Sequence, residues 1–144
     1  MNALRIIRIG LLAGAFVAGS ASAETVKLVA NLQPSSEVPP TISDGIGSLD
    51  ATLNTITGEL KWSATYKNLT GTAVAAHFHG PAPAGQNAAV LVPIAKNALA
   101  SPIEGSTMLD ASQMSQVMSG KWYFNVHTPK YPDGEIRGQL KHAG

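Results

Sequence analysis

Leu60-Lys61-Trp62-Ser63-Ala64-Thr65-Tyr66-Lys67 alternates apolar and polar residues without a break. A period of two over a run of this length belongs to a strand with one face buried. The pattern repeats on the N-terminal side. Val26, Leu28, Ala30 and Leu32 alternate with Lys27, Val29 and Asn31, and Leu49, Ala51 and Leu53 alternate with Asp50 and Thr52. Ala73 to His79, Ala88 to Ile94, Lys121 to His127 and Glu135 to Lys141 are further candidate strands. Between them, Asn54-Thr55-Ile56-Thr57-Gly58 and Asn68-Leu69-Thr70-Gly71 read as hairpin loops, and Pro132-Asp133-Gly134 as a tight turn. Two prolines remove ladder donors from Gly80-Pro81-Ala82-Pro83-Ala84-Gly85, which therefore ends a strand. About seven short strands with regular turn signals predict an all-β fold, an antiparallel Greek-key or immunoglobulin-like β-sandwich.

One segment breaks the alternation. Asp110 stands at an N-cap position, Met114, Val117 and Met118 share a helical face, and Gly120 sits where a helix ends. A short helix is expected over residues 110–119, crossing one end of the sandwich.

The first 23 residues are set apart from the fold. Arg5 and Arg8 precede an apolar run from Ile9 to about Ala18, and Ala21-Ser22-Ala23 has the small-x-small form of a signal-peptidase site. The run is too short to span ~30 Å of hydrocarbon. Residues 1–23 are expected to be a cleavable secretory signal peptide, and residues 24–144 one exported β-sandwich domain, periplasmic or extracellular, with no membrane span. Cleavage takes two of the ten basic residues, leaving eight against nine acidic ones and a net charge of −1. That charge gives no footprint for nucleic acid. The absence of cysteine excludes a disulfide scaffold, thiolate metal sites and a thiol nucleophile.

Chemistry concentrates in the histidines. In Ala76-His77-Phe78-His79-Gly80, positions i and i+2 put His77 and His79 on one face of a strand and Phe78 on the other, in the core. His127 ends another strand on which Trp122, Phe124 and Val126 take one side and Tyr123, Asn125 and His127 the other. If the aromatic side is the core, all three histidines point outward. Three imidazoles then form a nitrogen site for copper or zinc, with bonds near ~2.0–2.1 Å. Strand-end histidines that pin loops through backbone carbonyls are the alternative. Asn125 shares the face of His127 and stands as an outer partner of the site. With ordinary imidazole pKa values, such a site would lose its metal below about pH 6. His142, near the C-terminus, is expected to be solvated.

No His-Glu-x-x-His, Gly-x-Ser-x-Gly, P-loop or dinucleotide fingerprint occurs, and no catalytic residue is assigned. Glu135 and Arg137, two apart on a strand, read as a surface or loop-fixing ion pair. Glu37 and Asp133 join them as loop-fixing residues, with Arg137 tying Glu37 to the last strand and Val38-Pro39-Pro40 forming an extended edge segment. Met108, Met114 and Met118 offer thioethers, but methionines on a helix face serve mainly as core.

Glu37-Val38-Pro39-Pro40, Ala75-Ala76-His77-Phe78-His79-Gly80-Pro81, and Asn125-Val126-His127-Thr128 followed by Pro132-Asp133-Gly134-Glu135-Ile136-Arg137-Gly138-Gln139-Leu140 resemble the chordin-type (CHRD) domain family. The resemblance runs from about Val26 to Leu140. It implies an immunoglobulin-like sandwich and an extracytoplasmic location, as in single-domain secreted bacterial members, and implies no activity. A more distant likeness, at the level of fold, is to copper–zinc superoxide dismutase, whose copper is held by a His-x-His strand pair and further histidines; the cysteine pair and the zinc loop are missing here. Three functions are consistent with the sequence. One is an exported CHRD-type module that binds copper or zinc. Another is an adhesion or scaffold module for an extracytoplasmic protein or glycan, with structural histidines. The third is a small copper-dependent redox enzyme.

Overall fold

The computed structural model describes residues 24–144, so the expected signal peptide lies outside the described residues. Leu28, Ala30 and Leu32 of β1 (Thr25–Leu32) face inward beside Leu49, Ala51 and Leu53 of β2 (Ile46–Asn54) and Leu60, Trp62 and Ala64 of β3 (Glu59–Lys67). The register sets Leu28 against Ala51 and Ala51 against Trp62, so the alternation of each strand lands on one common face. This antiparallel sheet is completed by β6 (Ile103–Met108) beyond β3 and β9 (Lys141–His142) beyond β1.

The second sheet runs β5-β4-β7-β8, from β4 (Ala75–His79), β5 (Val90–Pro93), β7 (Tyr123–His127) and β8 (Ile136–Gln139), again antiparallel. Its inner face presents Ala76, Phe78, Phe124, Val126 and Ile136 to the first sheet. Phe78 sits at the centre, edge-on to Trp62 at 4.9 Å and to Phe124 at 4.8 Å between ring centroids. Each large apolar side chain so buried contributes ~1.5–3 kcal/mol. The result is the expected β-sandwich.

The helix α1 (Ala111–Met118) begins with a capping box: Asp110 accepts from the Gln113 amide, and the Gln113 side chain accepts from the Asp110 amide. Val117 is buried, Met114 and Met118 pack against the core, and Gly120 at φ 69° takes the left-handed turn that ends the element. Among the described residues no helix is long and apolar enough to cross a membrane.

Three local expectations change. Asn68–Gly71 does not close a hairpin; it carries the chain from β3 in one sheet to β4 in the other. Its turn chemistry reverses the chain equally well in either role. Val38-Pro39-Pro40 lies outside every strand, in a loop to which Asn87 Nδ2 donates a hydrogen bond at Val38 O, 3.0 Å. β6 was unforeseen because Ile-Glu-Gly-Ser-Thr-Met buries only Ile103 and so shows no alternation. Gly105 gives the Trp62 ring room to lie against that strand.

Candidate metal centre

The outer face of the second sheet carries the polar cluster, and strand register builds it. Ala75 pairs with His127, His77 with Asn125 and His79 with Tyr123. On one side of this ladder His77 therefore stands opposite Asn125, with His127 and His79 on the two diagonals, within reach of long side chains. Across β7, Asn125 pairs in turn with Arg137. One nitrogen from each of His77, His79 and His127 lies within 4.8 Å of the others.

The histidines are directed outward from the core as expected, but they are not on an open surface. His79 and His127 are only 8% and 7% exposed, and all five residues of β7 are buried. Alternation tells which side of a strand a residue takes, not what covers that side. Here the 80–89 loop and the segments around Glu37 and Pro132 cover it. His79 Nδ1 is 3.0 Å from Ala88 O, and His127 Nδ1 is 2.8 Å from Pro132 O. A carbonyl only accepts, so both rings carry their proton on Nδ1 and turn Nε2 inward. Asn125 Oδ1 lies 3.0 Å from each Nε2, and His77 Nδ1 lies 3.0 Å from His127 Nε2.

Burial pushes the His77 pKa down to about 4, with help from the neighbouring His127 and His79. Burial likewise holds His79 and His127 below the ordinary imidazole value, against the opposing pull of their carbonyl hydrogen bonds. Neutral imidazoles are the form that binds a metal ion.

The CHRD domain profile matches residues 28–140, from within β1 to the residue after β8. The chain belongs to the CHRD-domain family. No curated protein and no solved structure matches it.

Within this CHRD domain the motif residues separate into two groups. Asn125, Glu37 and Arg137 gather at the histidines. Glu37 is 5% exposed, and its Oε1 is buried without a hydrogen-bond partner. Burial raises its carboxyl to about 7, while Arg137 and the Asn125 amide pull the other way. Gly134, at φ 125°, leaves the space that Glu37 occupies: a Cβ there would collide with Glu37 Oε1 and Asn125 Nδ2. Asp133 in the adjacent turn raises Glu37 further and also acts on His127.

Glu135 belongs to a different constellation. Its Oε2 accepts from Thr128 Oγ1 at 2.5 Å and Thr70 Oγ1 at 2.7 Å, and its Oε1 accepts from Thr70 N at 2.9 Å. Burial raises this carboxyl, but those hydrogen bonds outweigh it and leave the pKa below the usual value. The expected Glu135–Arg137 pair does not form, and neither residue is at the surface. Arg137 donates instead to Asn87 Oδ1 at 2.9 Å and to Gln86 O, and its guanidinium lies 3.4 Å over the Tyr123 ring. Nor does Arg137 form an ion pair with Glu37; among the described residues the sole ion pair is Lys61–Glu59. Loop carbonyls took the guanidinium protons that the sequence assigned to carboxylates.

Three contributors were missed. Tyr123 stacks on His79 with centroids 4.7 Å apart and planes 5° from parallel, and its place on the His127 side of β7 was a visible signal. The carbonyls of Ala88 and Pro132 had none, because any residue carries one. His142 is exposed and outside the cluster, and Met108 is exposed as well.

Proposed function

We propose that this protein is an exported CHRD-domain module that binds one copper or zinc ion through His77, His79 and His127, and that it serves metal buffering or delivery. The observation that carries this is the convergence of three imidazole nitrogens within 4.8 Å. Two of the rings have their tautomer set by a backbone carbonyl, the outer support typical of metal-binding histidines. Imidazole donors suit both ions, and Cu(II) binds the tighter of the two in the general order of divalent affinities. An export signal at residues 1–23 is consistent with this role, since a module that takes up metal outside the cytoplasm must first be exported.

A second reading is favoured by the same carbonyl bonds. His79 and His127 hold the 80–89 loop and the Pro132 turn in place, as a scaffold domain presenting those loops to a protein or glycan would need. A chelator-competition titration of metal-free protein with Cu(II) and Zn(II), run beside the His77→Ala/His79→Ala/His127→Ala variant, separates the two. One-to-one binding lost in the variant supports the metal module. Absence of binding, together with a less stable variant, supports the scaffold.

A further inference from the structure

We propose that Asn125 is itself a metal ligand, its Oδ1 closing the three imidazoles into a four-donor N3O site. The assignment rests on the metal reading above and specifies the coordination of that site.

The starting point is an imbalance of protons. The Nδ1–H of His79 is used on Ala88 O and that of His127 on Pro132 O. A neutral imidazole has one N–H, so each Nε2 presents a lone pair. Both lone pairs face Asn125 Oδ1 at 3.0 Å, and an amide oxygen is also only an acceptor. His127 Nε2 takes the His77 Nδ1 proton, 3.0 Å away, but no proton lies between Asn125 Oδ1 and either Nε2, so the amide oxygen faces two acceptors. In a site where Asn125 is 2% exposed, water does not screen that repulsion. A cation at the common centre converts each contact into an attraction.

Three of the six donor edges are close to those of a tetrahedral ion. Four donors at metal–ligand distances near 2.0–2.1 Å in a tetrahedron stand about 3.3–3.4 Å from one another. The Oδ1–Nε2 contacts and the His77 Nδ1–His127 Nε2 contact are each 3.0 Å, so donors separate by a few tenths of an ångström along these edges, while the widest histidine separation, 4.8 Å, has to close around the ion. His77 offers Nδ1 once its proton moves to Nε2, and that ring is only half-buried. The far end of the Asn125 amide, Nδ2, lies on the Glu37 side, where the carboxyl attracts the amide protons and leaves Oδ1 toward the histidines. A four-donor site has no vacant position, which suits an ion that is held and handed on rather than one that reacts.

The test uses copper-loaded full chain, wild type and Asn125→Ala, titrated with azide and followed by visible absorption and electron paramagnetic resonance. Wild type is expected to leave azide unbound. Asn125→Ala is expected to bind copper about 10–100-fold more weakly and to develop an azide-to-copper charge-transfer band. Asn125→Asp guards against misfolding of the alanine variant: a carboxylate in the same place should tighten Cu(II) at least about tenfold and stay resistant to azide. Azide uptake by wild type equal to that of Asn125→Ala overturns the assignment. So does unchanged or weakened affinity in Asn125→Asp, which would show that this side chain does not reach the ion. Wild type that binds no metal overturns the preceding reading, and this one with it.

Discussion

Glu135 and Arg137 are two residues apart, both essentially buried, and neither bonds the other. Each instead anchors a loop. Glu135 holds Thr70 and the end of β7 at Thr128, and Arg137 holds the 80–89 loop through Gln86 and Asn87. Glu135→Ala leaves the Thr70 amide and two hydroxyls without their acceptor, and a cost of about 2–4 kcal/mol is expected in urea unfolding. Because the Glu135 pKa is lowered in the fold, its contribution is present above the unfolded value of 4.5 and fades as pH falls below it. The difference between wild type and Glu135→Ala should therefore shrink toward acid.

Glu37 has the opposite sign. Its carboxyl is raised from 4.5 to about 7, so the fold favours the neutral form, and its contribution is full below 4.5 and lost as pH rises through 7. Glu37→Gln is expected to change metal-free stability little at pH 5 and to raise it by about 1–3 kcal/mol at pH 8. Equal stability of the two proteins at pH 8 would contradict this. The histidines act in the other direction: held neutral in the fold, they cost stability as pH falls below the unfolded value of 6.5. The metal-free protein should be most stable near pH 6.5.

The histidines and the phenylalanine between two of them part company on mutation. Phe78→Ala removes the ring at the centre of the core and is expected to cost about 3–5 kcal/mol. His77→Ala, half-buried and bonded only to another imidazole, should change metal-free stability by less than about 1 kcal/mol while lowering metal affinity. His79→Ala and His127→Ala each release a loop carbonyl, so about 1–2 kcal/mol is expected from them. Thermal melts with and without metal read both effects.

Proton competition should set in later than ordinary imidazoles would suggest. Burial depresses all three histidines, His77 to about 4, and a less basic ring yields its place to a proton only at lower pH. Zinc occupancy is expected to hold through pH 6 and to fall about half a pH unit or more below that of a free His-Phe-His peptide. A competing chromophoric chelator across pH 7 to 4.5 measures this.

Much of the fold was legible because it depends on side-chain period. Leu60 to Tyr66 and Val26 to Leu32 declare strands by alternation alone, and Asp110 declares a helix start as its cap. The cluster of His77, His79, His127 and Asn125 was legible for the same reason. Burial of that cluster was not, because it depends on loops that carry no period. Nor were the partners of Arg137, because a guanidinium accepts any nearby carbonyl, and which carbonyl is nearby is a property of the folded loop. β6 escaped because Glu104, Ser106 and Met108 face away from the core and Gly105 carries no side chain.

The carbonyls of Ala88 and Pro132 orient two of the three imidazoles. A carbonyl survives every substitution that keeps the path of the main chain. Within the 84–88 and 130–133 loops, Ala84, Ala88 and Lys130 can therefore drift, gaining charge or bulk to meet new surroundings, whereas Asn87 and Asp133 act on Arg137, Glu37 and His127 through their own side chains. Shortening either loop by one residue would do what those substitutions cannot, turning a carbonyl away and releasing a ring.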